Sequence, residues 1–206
     1  MKSRKNFLIY LSLFAILVIV FLFIVFSGKK SDEENLPEEV DYTINILKNP
    51  GFETSQMSFW KSEFQFDQKS YALVDDIVKF EGNYSLNITS ERDNQILVVS
   101  QMIKPIQLDK KIIFNGRVRT EDAEAVFLRM KLFSSKDSLI VEAFSDTLKA
   151  TNDWTFLTTW IRTLNPDASY LKVECCLFGK GRAWFDKLEV FPVDIKEKGF
   201  FPVRIK

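Results

Sequence analysis

The chain contains no histidine. That one absence removes imidazole-based zinc sites, Ser-His-Asp triads and Cys-His dyads. Cysteine is nearly missing too, and the two present, Cys175 and Cys176, are adjacent. Neighbours in a strand point to opposite faces, so this pair cannot bridge without a strained turn and no disulfide framework is available. One thiol is expected to be buried and the other partly exposed. A charge excess of either sign is also lacking, because Lys+Arg and Asp+Glu are each 28. A general nucleic-acid binder would be strongly basic, so that class is set aside. Neither G-x-S-x-G nor a P-loop occurs. The acid pairs Asp75-Asp76 and Glu121-Asp122 sit side by side and diverge, whereas glycoside hydrolysis needs two carboxyls about 5–10 Å apart across a cleft. They read as solvated turn acids, and the sequence predicts no enzyme.

What the chain does have is phenylalanine, 20 residues of it, beside 4 Trp and 5 Tyr and only 7 Gly and 6 Pro. Such a composition fills a core with aromatics and is not that of a disordered segment. At 206 residues the chain accommodates one domain of ordinary size plus an anchor. The anchor is read from Phe7 to Phe26, FLIYLSLFAILVIVFLFIVF, which carries no charge. At 1.5 Å per residue this run spans about 30 Å, the thickness of a bilayer core. Lys2, Arg4 and Lys5 precede it, while Lys29 and Lys30 are followed at once by Asp32, Glu33 and Glu34. The slight basic excess favours a cytoplasmic N-terminus and an extracytoplasmic C-terminal domain, in a periplasm or at a cell surface. A cleaved signal peptide is the competing reading, but the run is long for one and lacks a small-x-small site. The expected organisation is a cytoplasmic tail (1–6), a signal anchor (7–27), a charged linker (28–41), a domain (42–193) and a C-terminal tail (194–206).

From Tyr42 the pattern has period 2. Phe114–Arg119, Val126–Leu132 and Leu171–Cys175 alternate apolar with polar residues. Further extended candidates are Trp60–Phe66, Tyr71–Val78, Tyr84–Thr89, Ile96–Ile103, Leu139–Phe144, Trp154–Arg162 and Ala183–Phe191. Breakers such as Asn49-Pro50-Gly51, Glu81-Gly82-Asn83, Asn165-Pro166-Asp167 and Gly179-Lys180-Gly181 separate them. Ser145–Asn152 is the one stretch that could hold a helical turn. About ten short strands without a convincing soluble helix predict an all-β sandwich or jelly roll.

Ordered motifs then bring a family into view. Asn49-Pro50-Gly51-Phe52-Glu53 with Trp60 opens the domain, and Glu81-Gly82-Asn83-Tyr84-Ser85-Leu86, Val99-Ser100-Gln101, Phe114–Thr120 and Asn152-Asp153-Trp154 follow. Gly179-Lys180-Gly181-Arg182-Ala183-Trp184-Phe185-Asp186-Lys187-Leu188 closes it. In this order the segments resemble the carbohydrate-binding modules of the CenC type, which are galactose-binding-like jelly rolls. The resemblance implies a non-catalytic glycan-binding module and a structural calcium held by Glu53 and Asp186, completed by carbonyls or Glu81 of the Val78–Asn83 turn. Calcium takes hard oxygen ligands, so these acids suit it. The alternative is that Asp186 accepts backbone N–H groups while Glu53 caps a turn or pairs with a lysine.

A glycan platform needs flat aromatic rings and a few polar groups. Alternation places Asn115, Arg117 and Arg119, then Phe127, Arg129, Lys131 and Phe133, then Lys172, Glu174 and Cys176 away from the core, with Gln101 joining them from its own strand. The expected ligand-binding set is Gln101, Asn115, Arg117, Phe127, Arg129, Lys131 and Glu174, for a polar or anionic glycan, with Phe127 or Tyr170 as the stacking surface. The same face also suits docking of an envelope protein by a scaffold, or plain solvation in which Arg and Lys stems cover apolar area. Trp60, Trp154 and Trp184 match structural positions of the family pattern. Trp160 does not, and is a candidate for exposure.

Overall fold

The period-2 pattern is realised as nine β-strands in a computed structural model, which describes residues 44–195. They are β1 (Lys61–Ser62), β2 (Ser70–Asp75), β3 (Ser85–Ser90), β4 (Ile96–Ile103), β5 (Lys110–Ser134), β6 (Leu139–Phe144), β7 (Leu148–Arg162), β8 (Ala168–Phe178) and β9 (Gly181–Asp194). All pairings are antiparallel. Among the described residues there is no helix, and so none long and apolar enough to cross a membrane. The expected anchor (7–27), its flanking tail and linker, and residues 196–206 lie outside the described residues.

The two alternating runs expected around Phe114 and Leu128 are a single 25-residue strand. The first half of β5 pairs with β9 and β7, the second half with β8 and β6. Register shifts against β7 between Val118 and Val126, with Asp122 at φ 48°, bend the strand at the changeover. One strand therefore feeds two sheets. We term β6-β5-β8-β4-β1 the front sheet and β7-β5-β9-β3-β2 the back sheet. Their inner faces share one core, to which the back sheet gives Leu86, Ile88, Phe114, Val118 and Phe185 and the front sheet Leu97, Leu128, Met130, Val173 and Leu177. This is the β-sandwich that the alternation predicts.

Two local expectations are corrected. In the Trp60–Phe66 stretch the strand covers only Lys61–Ser62, with one further bond from Glu63 N–H to the Val98 carbonyl at 2.9 Å, because the Ser62 hydroxyl bonds to both backbone groups of Phe64 and competes with the ladder. Ser145–Asn152 holds no helical turn. Ser145 is tied to Leu128 through its backbone N–H and its hydroxyl, and β7 begins at Leu148 with Ala150 at φ 62°, a conformation no right-handed helix contains.

The sheets close where β9 starts. Gly181 has φ 122°, and a Cβ there would stand 2.4 Å from Ala123 Cα and 2.7 Å from the Asp122 carbonyl oxygen. Backbone cannot step aside as a side-chain tip can. Gly181→Ala should lower unfolding free energy by at least about 2 kcal/mol, measured by urea denaturation. An unchanged midpoint would mean that β5 and β9 do not approach this closely.

Candidate site on the front sheet

Alternation about the core decides what the front sheet shows to its outer face. In β4, β5 and β8 the core takes Leu97 and Val99, Leu128 and Met130, Val173 and Cys175. Ser100, Phe127, Arg129, Lys131, Lys172, Glu174 and Cys176 therefore lie on the other side. Register aligns them in rows: Arg129 stands beside Glu174, which stands beside Ser100, while Lys131 adjoins Lys172 and Phe127 adjoins Cys176.

Glu174 is 0% exposed. A carboxylate in that position is costly without a partner, and Arg129 supplies one by donating its Nε–H to Oε2. Oε1 is buried with no hydrogen-bond partner, Lys131 Nζ being 3.8 Å away. Beside this pair, the turn after β1 delivers Glu63, whose Oε1 accepts from Ser100 Oγ at 2.7 Å and Lys172 Nζ at 2.7 Å. Lys61, Ser62, Glu63, Phe64, Gln65 and Lys172 line an open depression of about 530 Å³. Two carboxylates, Glu174 and Glu63, are thus set among Arg129, Lys131 and Lys172, and the face is less basic than the strand sequences alone suggest. Sequence reasoning does not flag Glu63, because only the pairing beside β4, where its N–H donates to the Val98 carbonyl at 2.9 Å, brings it to Ser100 and Lys172.

Aromatics flank these charges on one side. Phe127 packs against Phe144 of β6 at 5.8 Å between ring centroids, and Arg129 sits 6.0 Å from the Phe144 ring. Phe144 remains 51% exposed and is the ring open to a ligand. Tyr170 is not: it stacks on Phe133 at 4.9 Å and 11°, and its hydroxyl is 3.0 Å from Asp137. Both thiols are buried, which corrects the expectation of one exposed cysteine. Burial pushes the Cys176 thiol up to about 12, so it is chemically inert at neutral pH.

Phe127, Arg129, Lys131 and Glu174 are brought together; the other three expected ligand residues are not. Gln101 shares the parity of Val99 and Ile103, and its amide brackets the backbone of Lys48, accepting from N and donating to O at 2.8 Å each. Asn115 and Arg117 belong to the half of β5 in the back sheet. Asn115 Oδ1 accepts from Thr158 Oγ1 at 2.7 Å, and the Arg117 guanidinium lies between the rings of Phe80 and Phe156, at 5.0 and 5.2 Å. One alternation running through both halves of β5 made the two faces look like one.

Glu53 and Asp186 meet over a single loop. Asp186, 0% exposed, takes the N–H groups of Phe80 (2.8 Å) and Glu81 (3.1 Å) on Oδ2 and that of Lys187 (2.7 Å) on Oδ1. Glu53 takes Asn83 N at 3.0 Å, Asn83 Nδ2 at 3.1 Å and Tyr84 N at 3.4 Å. Burial nevertheless holds the Asp186 carboxyl above the ordinary aspartate range, with the Glu81 charge adding to it against the three N–H donors. Glu81 itself pairs with Lys187 at 2.9 Å. Gly82, at φ 63°, lies so close that a Cβ would fall 2.2 Å from Glu53 Oε1. Glu53 Oε1 and Asp186 Oδ1 each lie 3.7 Å from the place a Cβ would take on Gly51, so the two acids flank one turn. Phe52 is buried beneath them against Trp60, whose Nε1–H donates to the Asn49 carbonyl at 3.0 Å.

No protein-family profile matches the chain, and no curated protein does. Solved structures do match. The enzymatically active domain of tailspike protein 4 from bacteriophage CBA120 aligns with TM-score 0.59 and 10% identity over 72% of this chain, which spans only 21% of that one. The carbohydrate-binding module TmCBM61, solved with β-1,4-galactotriose, aligns with TM-score 0.51 and 16% identity over 73% of this chain and 99% of its own. A cyclase from Fischerella sp. TAU gives TM-score 0.55 and 13% identity over 71% and 96%. Family 22 and family 16 carbohydrate-binding modules match as well. At these identities the likeness establishes the fold: the domain has a jelly-roll architecture found in carbohydrate-binding modules, in part of the tailspike chain and over nearly the whole cyclase chain.

The Glu63–Lys172 pair makes a pH prediction. Burial raises the Glu63 carboxyl, but the bonds from Lys172 and Ser100 and the charges of Lys172 and Lys131 outweigh it and leave it below its ordinary 4.5. A depressed folded-state value means stability that is present above the unfolded value and lost as pH falls through the folded one. Carbon-detected NMR titration should place Glu63 below 4.5, and Lys172→Met should move it upward. A Glu63 that titrates at the ordinary value in both proteins would mean that the pair does not form in solution.

Proposed function

We propose that the domain is a non-catalytic glycan-binding module, held by residues 7–27 on the extracytoplasmic side of a membrane, with the outer face of the front sheet as its site. The observation that carries this reading is Glu174 Oε1, a buried carboxylate oxygen with an unused lone pair on a face that also holds Arg129, Lys131 and Lys172. A sugar hydroxyl is a donor of the right size to complete it, and the lysines would take a neighbouring hydroxyl or a carboxylate of a polar or anionic glycan. Phe144, on an exposed strand beside the charges, supplies the flat apolar surface that a pyranose ring covers. The carbohydrate-binding modules that share the fold support the same class of ligand.

Calorimetric titration against neutral and acidic polysaccharides should give a Kd between about 1 mM and 1 µM. Phe144→Ala and Lys172→Ala should each weaken it at least tenfold. Both side chains are partly exposed, so stability should change by less than about 1 kcal/mol. Arg129 is a poorer probe, because its removal strands the buried Glu174 and costs about 3–5 kcal/mol. A flat titration across the panel, with a stoichiometric protein crosslinked from membranes, would replace this reading with an envelope scaffold.

Calcium belongs to the same proposal. Glu53 and Asp186 are hard oxygen donors from distant segments that flank Gly51; no third acid joins them among the described residues, so a bound ion would take carbonyl oxygens as well, displace some of the N–H bonds, and join the opening turn to the last strand. A chelator should then lower the melting temperature, and Glu53→Ala should abolish the shift. A melting curve indifferent to chelator assigns the clamp to the N–H bonds alone.

A further inference from the structure

The back sheet carries a second group of side chains that the glycan reading does not use. Ile112, Phe114 and Ile161 face the core, so Lys111 of β5 and Trp160 and Arg162 of β7 share the outer face. Lys111 is directly opposite Arg162 in the ladder, and Ile113 opposite Trp160. Like charges directly opposite one another destabilise a sheet. The arrangement is not relieved by an acid: no salt bridge to either residue forms among the described residues. Elsewhere on this face Arg182 pairs with Glu121 at 3.2 Å, and the Arg117 charge acts on Glu189.

Trp160 organises the pair. Lys111 Nζ lies 4.6 Å from its ring centroid and Arg162 Cζ 5.9 Å. Cation–π contact holds both heads at one ring without supplying a hydrogen-bond acceptor. Arg162 Nε is buried with no hydrogen-bond partner, which costs the desolvation of a charged donor. Burial, and then the Arg162 charge, hold the Lys111 ammonium below the ordinary lysine range. Two partly buried positive charges, one buried unsatisfied N–H and a rigid ring between them form half of an ion-binding arrangement.

We propose that Lys111, Arg162 and Trp160 form an oxyanion-binding site, in which the guanidinium fork and the ammonium take the charged oxygens of a phosphate or carboxylate group. An oxyanion placed between the two heads would satisfy Arg162 Nε and replace repulsion with attraction. This site is on the sheet opposite the proposed glycan face and does not depend on it. The shared chemistry has two sources, a phosphate-bearing ligand or an acidic sugar.

The test is titration of the full chain with sodium phosphate and, separately, sodium glucuronate, against chloride at matched ionic strength. Saturable change in tryptophan emission is expected with at least one of them and not with chloride. Lys111→Gln and Arg162→Gln should each weaken that response at least tenfold, and Trp160→Phe should remove the optical signal while calorimetry still detects binding. Response to phosphate alone identifies a phosphate-bearing ligand, and response to glucuronate alone an acidic sugar. If neither anion gives a saturable change beyond chloride by fluorescence or calorimetry, or if both Gln variants bind as the parent does, the proposal is overturned. Because the wild-type titration is decisive by itself, a variant that fails to fold does not rescue the idea.

Discussion

The architecture depends on one constraint: β5 is a member of both sheets. A strand that changes sheets must keep its apolar parity on each side of the bend, since a slip of one residue would turn every side chain over. Here Ile112, Phe114 and Val118 face the core before the changeover, and Val126, Leu128, Met130 and Leu132 after it. The bend itself needs room, and Gly181 provides it by letting β9 start against Ala123. Front face, back face and the clamp at Asp186 are all positioned from this strand and its neighbours β8 and β9.

Much of this was legible in the amino-acid order. The alternation located most strands, and the breakers located the turns, because both rest on local geometry. What failed was non-local. Nothing in the stretch from Phe114 to Leu132 says that its two halves pair with different partners, so Asn115 and Arg117 were grouped with Arg129 and Lys131 across a bend that only tertiary pairing reveals. Gln101 looked like one more polar residue of a face, although its neighbours Val99 and Ile103 already set its parity inward. Phe144 lay within a recognised strand, yet its role depends on β6 docking beside Arg129. Asp186 and Glu53 were singled out by the resemblance, and the structure adds that both bind the same loop through its N–H groups.

The front face illustrates why buried charge is poor evidence for stability and better evidence for use. Glu174 and Arg129 in place of two apolar residues gain little, since Coulomb attraction in the interior is largely consumed by desolvation. What the pair does provide is a fixed carboxylate whose second oxygen is uncommitted. The back face presents the complementary case, a guanidinium with one buried, unpartnered N–H beside a like charge. In both, the sheet supplies rigidity while the local electrostatics are left incomplete.

The sharing of β5 also bears on how the domain could be cut and rejoined. A break inside this strand would disconnect two ladders at once, whereas the turn between Ser134 and Leu139 lies at its far end and is held chiefly by bonds local to Ser134. New chain ends placed there would leave every strand whole. Ends placed near Asp122 would break the one strand that runs through both sheets and leave them joined only by the connections between strands. The hinge that lets a single chain wrap into a sandwich is thus also the point at which the fold is least divisible.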